Sequence, residues 1–167
     1  MQVRQEALTA KMSLKDLPPS SPLSNANLVL IFGSVRRFND AKLPAQLKAR
    51  YPSAQIVGCT TSGEIGPDGV SDDSLQITAI TWDKSTQRVT YARANNMQTS
   101  AETAINLAKQ LKADNLRTVL LFSDGLHIMA PNCYKVSRAY WATSQLSAAW
   151  QATMRNSPEH CNFSTTA

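Results

Sequence analysis

The sequence predicts an α/β domain, a mixed β-sheet with helices packed on it. Two apolar runs, Leu28-Val29-Leu30-Ile31-Phe32 and Arg117-Thr118-Val119-Leu120-Leu121-Phe122, read as strands buried on both faces. Leu75 to Trp82 alternates with period two, as a half-exposed strand does. Between these strands lie segments whose apolar residues recur at helical spacing.

In chain order, residues 1–27 form an N-terminal segment closed by the proline-rich link Leu17-Pro18-Pro19-Ser20-Ser21-Pro22. The first strand, Leu28 to Phe32, ends at Gly33-Ser34. Asn39 or Asp40 then caps a helix with Leu43, Leu47 and Tyr51 on one face and Pro44 in its first turn, where a missing N–H matters little. Ala54 to Val57 is the next strand, and a polar turn begins at Gly58. Pro67-Asp68-Gly69 and Ser71-Asp72-Asp73 are loop chemistry. The strand Leu75–Trp82 turns at Asp83-Lys84-Ser85-Thr86, and Arg88–Ala94 reads as its antiparallel partner. Thr99 and Glu102 form a capping box before a helix that carries Ala101, Ala104, Ile105, Ala108 and Leu111. The strand Arg117–Phe122 ends in Ser123-Asp124-Gly125.

A chain of 167 residues and 18.3 kDa suits one domain with a real core. The net charge of +5 is scattered, and Arg36-Arg37 is the only basic doublet, which argues against nucleic acid. No run of about 18 apolar residues suggests a membrane span. The opening residues lack the apolar core of a signal peptide. Three cysteines, Cys59, Cys133 and Cys161, without a C-x-x-C spacing, argue for a reducing compartment and against zinc or disulfides. A cytoplasmic protein is the expectation.

The densest chemistry is Gly58-Cys59-Thr60-Thr61-Ser62-Gly63-Glu64-Ile65, at the end of a buried strand. In open α/β sheets that edge is where ligands bind. Thr60, Thr61, Ser62 and the Gly63 amide form a donor set for a carboxylate or phosphate; the alternative is local capping of the turn. Cys59 reads either as a nucleophile, which would make the protein an enzyme, or as an inert buried thiol. Glu64 reads as a solvated carboxylate or as the partner of a ligand ammonium group. Asp124 is either a polar ligand contact or an Asx turn with Gly125. His127, one of two histidines, reads as structural or as a haem ligand or base.

The segment from Met129 to Ala167 has another character. It holds two of the three Trp and two of the three Cys, but no glycine, although all 6 lie before it. A helix over residues 139–153 is the one element its pattern allows. Read one base earlier, its codons force a glycine across Met129-Ala130, leucines across Asn132-Cys133 and Cys133-Tyr134, and an alanine across Trp150-Gln151. A one-base deletion near the Ile128 codon, truncating a longer protein, is therefore expected; an unusual natural tail is the alternative. The expected organisation is residues 1–27 as N-terminal segment, 28–128 as a partial domain and 129–167 as an out-of-phase tail.

Leu28–Ser34, the Ile56–Ile65 corner and Leu121–Leu126, together with the out-of-phase continuation, resemble the N-terminal FIST domain. The resemblance covers about residues 28–128 and implies an incomplete FIST-type domain. It implies a non-enzymatic sensory domain of intracellular signal transduction, binding a small molecule such as an amino acid. Gly58, Cys59, Thr60, Thr61, Ser62, Gly63 and Asp124 are then the candidate ligand-binding residues, with no catalytic or metal-binding set. Some similar proteins are haem-based nitric-oxide sensors acting on histidine kinases, so haem and a histidine kinase are the implied cofactor and partner.

Overall fold

The computed structural model describes residues 1–18, 23–66, 69–93, 98–124 and 145–152, the last eight and residues 123–124 by backbone alone. It divides into two units, Met1–Gln87 and Arg88–Met154. The α/β reading holds.

In the first unit β1 (Gln2–Leu8), β2 (Leu28–Gly33), β3 (Gln55–Thr60) and β6 (Leu75–Thr81) form a sheet in the order β1-β6-β2-β3. β2 and β3 are parallel, and β6 is antiparallel to both β1 and β2. The crossover between the parallel strands carries α1 (Val35–Phe38) and α2 (Leu43–Arg50), as a parallel pair requires. A short hairpin of β4 (Glu64–Gly66) and β5 (Gly69–Ser71) lies between β3 and β6.

One sheet face carries Leu8, Val29, Ile31, Ile56, Leu75, Ile77 and Ala79 into a core shared with Leu43, Leu47 and Tyr51, and with Leu14, Leu17 and Leu23. Pro44 sits in the first turn of α2, as expected. The expected cap is displaced: Lys42 occupies the N-cap, and Asp40 Oδ1 accepts its N–H at 2.9 Å.

Three expectations are corrected here. The partner of β6 is β1, in register from Gln2↔Thr81 to Leu8↔Leu75, and residues 88–93 form no strand. β1 escaped notice because two of its core-facing positions, Arg4 and Glu6, are charged. Burying Glu6 is tolerable because it is paired and hydrogen-bonded. Its Oε1 lies 2.8 Å from Arg50 Nη2, and its Oε2 accepts the Tyr51 hydroxyl at 2.7 Å. The second correction is that β3 continues through Gly58-Cys59-Thr60, so the turn begins at Thr61. Third, α1 precedes α2, N-capped by the Ser34 hydroxyl, which accepts Arg37 N–H.

Burial and then the hydrogen bond to Glu6 push the Tyr51 phenol up to about 12. The folded state thus holds this proton more tightly than the unfolded chain, whose phenol titrates near 10. The resulting stability is complete below pH 10 and lost as pH rises to about 12; two pH units correspond to roughly 2–3 kcal/mol. Absorbance at the phenolate band should show one late-titrating tyrosine, and Tyr51→Phe should abolish it. A Tyr51 titration near pH 10 would contradict this environment.

The second unit contains α3 (Ser100–Leu111), β7 (Thr118–Asp124) and β8 (Gln145–Ala152). Ala108 of α3 packs with Val119, flanked by Leu111 and Leu116. Thr99 is the N-cap of α3, but its side chain makes no cap bond, so the expected capping box is not formed. β7 runs from Thr118 through Ser123 and Asp124, two residues beyond the expected strand Arg117–Phe122. β8 runs parallel to β7, so residues 145–152 are strand where a helix was expected. His127, Cys133, Cys161, His160 and the rest of residues 125–144 and 153–167 lie outside the described residues. No helix among the described residues is long and apolar enough to cross a membrane.

Candidate functional site

The C-terminal ends of β2 and β3 lie side by side, with Gly33 opposite Thr60, and β6 enters at the same edge with Leu75 opposite Gly33. Three corners therefore meet there: Ser34–Arg37 after β2, Thr61–Gly63 after β3, and Asp72–Ser74 before β6.

Gly58 makes this convergence possible. A Cβ built on it would lie 2.1 Å from the Ile31 carbonyl oxygen and 2.2 Å from Ile31 Cγ1. Only glycine lets β3 approach β2 so closely. Cys59 is buried at 5% exposure, and strand alternation places it on the face opposite Ile56 and Thr60. Thr60 is 2% exposed, and its hydroxyl has no hydrogen-bond partner. Ser62 is exposed and Gly63 half-buried.

The corner is fixed from below by Glu64. This residue is 3% exposed, not the solvated carboxylate the sequence suggested. Its burial is explained by three donors. Thr61 Oγ1 reaches Oε1 at 2.5 Å, while Ser74 N–H and Ser74 Oγ reach Oε2 at 3.1 and 2.7 Å. Ser71 Oγ donates to Ser74 Oγ at 2.9 Å. Buried carboxylates persist when their lone pairs are satisfied in this way. Thr61 N–H also donates to the Gly33 carbonyl at 2.9 Å, joining the corner to β2.

Asp73 joins the remaining corner. Its φ of 64° lies in the left-handed region, which Asp visits more readily than most residues but at some strain. Ser34 Oγ donates to Oδ1 at 2.9 Å, and Arg36 Nε lies 2.7 Å from Oδ2. The hydrogen bonds from Arg36 and then Ser34 hold this carboxyl below its usual range. Arg37 Nε donates to the Asp73 carbonyl at 3.2 Å, its Nη1 to the Met12 carbonyl at 2.8 Å, and its Nη2 to the Thr9 carbonyl. The arginine doublet is thus committed within the protein rather than to an anion.

Of the predicted site residues, the structure brings Gly58 to Gly63 together at one strand end. Asp124 ends β7 in the second unit, opposite Ala152. Sequence reasoning missed Ser74 and the role of Asp73, and took Ser34, with Arg36 and Arg37, as loop residues rather than an anion cradle. The loop signal Ser71-Asp72-Asp73 was visible, but its pairing with segments some forty residues earlier was not. No cluster of His, Cys, Asp and Glu among the described residues could hold a metal ion.

The family model described as FIST N domain matches residues 27–133. No curated protein and no solved structure matches the chain.

Proposed function

The chain belongs to the FIST N domain family, whose domains are sensory modules of signal-transduction proteins, and we propose that it recognises a small ligand at the Gly58–Gly63 corner. The observation that carries this reading is the division of labour among the corner's hydroxyls. Thr61 is bound to Glu64, whereas Ser62 is exposed and the Thr60 hydroxyl is buried without a partner. A strand-end corner with uncommitted hydroxyls suits a carboxylate-bearing small molecule, amino acids among them. Asp124, at the end of β7 in the second unit, stays a separate candidate. Binding would shift the population of the domain toward a state read by a histidine kinase or other signalling protein in the cytoplasm.

The non-enzymatic reading is supported by the burial of Cys59, since a thiol nucleophile needs access and activation. Slow alkylation in the folded chain is the expected result for this buried thiol, and rapid alkylation at neutral pH would favour an enzyme. Haem is the alternative ligand of this reading. No histidine lies among the described residues, so a Soret band after haemin addition is what would favour it. The tail beyond Ile128 is proposed to be out of phase, which accords with a family match that ends at residue 133. Coding triplets that give stops in the other phase would overturn that.

Titration with free amino acids, followed by amide NMR, tests the ligand reading. Saturable shifts are expected at Ser62 and Gly63, and Ser62→Ala with Thr60→Val should abolish them. Thr60→Val alone removes an unpartnered buried hydroxyl and should leave stability unchanged or raise it by about 1 kcal/mol. The absence of saturable shifts from the whole panel would defeat the amino-acid reading.

A further inference from the structure

We propose that the Ser71–Ser74 turn is a strained hinge that couples the Thr61–Glu64 corner to the N-terminal turn Thr9–Met12, with Arg37 as the carrier. The coupling stands on contacts within the first unit; only its use as the output of a sensor rests on the ligand reading.

The route is continuous. Thr61 and Ser74 bind the same carboxylate, that of Glu64. Ser74 presents its carbonyl to Ser34 N–H at 3.1 Å, and its neighbour Asp73 receives the Ser34 hydroxyl and the Arg36 guanidinium. Arg37 then spans three carbonyls, one from Asp73 and two from the N-terminal turn, Thr9 and Met12. Within that turn Met12 N–H donates at 2.9 Å to the same Thr9 carbonyl that Arg37 holds. Arg36 adds a bond of 3.3 Å to the Ala10 carbonyl.

A chain of contacts transmits only if one element has two arrangements. Asp73 supplies it, because its left-handed φ of 64° is kept by the surrounding ties and relaxes when they are lost. Releasing Ser74 from Glu64 frees the hinge and moves the Asp73 carbonyl, and Arg37 then loses one of the three acceptors that hold its fork in place. The Thr9–Met12 turn loosens with it. The fork geometry matters, since lysine offers its donors from a single point and does not reproduce the planar guanidinium.

Amide hydrogen exchange on the full chain tests this, with Ser74 and Met12 as reporters and the Ile77 amide of β6 as internal reference. Glu64→Gln should speed exchange at both reporters, by about tenfold for the loss of one hydrogen bond. In an Arg37→Lys background Met12 should already exchange fast, and Glu64→Gln should add nothing there while still acting on Ser74. Multiplying effects of the two substitutions at Met12, or an effect of Glu64→Gln confined to Ser74, would overturn the proposal. Should Glu64→Gln unfold the unit, so that Ile77 exchanges fast as well, Thr61→Val removes a single bond to the same carboxylate and is read by the same criteria. A ligand panel without saturable shifts defeats the ligand reading and leaves this coupling standing; multiplying effects at Met12 do the reverse.

Discussion

Glu6→Ala should lower the stability of the chain by about 3–5 kcal/mol, seen as a fall in the denaturation midpoint at unchanged slope. The magnitude follows from what the carboxylate leaves behind. Arg50, whose side chain is 12% exposed, would keep its charge with only the Pro18 carbonyl and the Tyr51 hydroxyl and ring beside it. Burial alone would pull the Arg50 guanidinium down, but its bonds to Glu6 and Tyr51 hold it above its ordinary value. Tyr51, fully buried, would lose the acceptor of its hydroxyl. Glu6→Leu combined with Arg50→Met should recover much of the loss, because an apolar pair leaves no buried charge unpaired. A change within about 0.5 kcal/mol for Glu6→Ala, the range of ordinary surface substitutions, would show that β1 does not depend on this ion pair.

Gly58→Ala should cost about 3 kcal/mol, the upper end for overpacking, and should also remove ligand-dependent shifts at Ser62 and Gly63. The added methyl meets backbone oxygen at 2.1 Å, and backbone in the middle of a sheet cannot swing aside as a side-chain tip can. Among the described residues β3 has β2 as its one sheet partner, so the strain is relieved by pushing β3 outward, which carries the corner with it. Gly63→Ala is the matched control. Its methyl would meet nothing nearer than Asp72 Oδ1 at 3.5 Å, and the expected change is within about 0.5 kcal/mol. Equal tolerance of alanine at both positions would refute the close approach of β2 and β3.

What the sequence made legible was whatever rests on apolar periodicity. β2, α2, β6 and α3 were found because Val29, Ile31, Leu43, Leu47, Ile77 and Ala108 recur at the spacing of their elements. β1 was missed because Glu6 stands at a core-facing position, and charge there argues against a strand until its distant partner Arg50 is known. The ends of β3 and β7 were placed too early, since Thr60 and Asp124 are polar and polarity reads as turn. At the site the corner itself was legible as a dense polar cluster. The burial of Glu64 was not, because its main partner, Ser74, lies ten residues further along the chain, and an isolated glutamate is most often exposed.

The pairing of β1 with β6 also sets the order in which this sheet can be made. Leu8 meets Leu75 and Gln2 meets Thr81, so the strand that leaves the ribosome first must wait for the one completed more than sixty residues later. β2 and β3, joined by a short helical crossover, can assemble in the meantime. Contacts so far apart in the chain slow folding, since loop closure precedes their reward. Until β6 arrives, the Glu6 side chain has no sheet to hold it against Arg50. Folding of the first unit is therefore expected to finish with the docking of β1, and the ion pair that stabilises the native sheet does little to speed its formation.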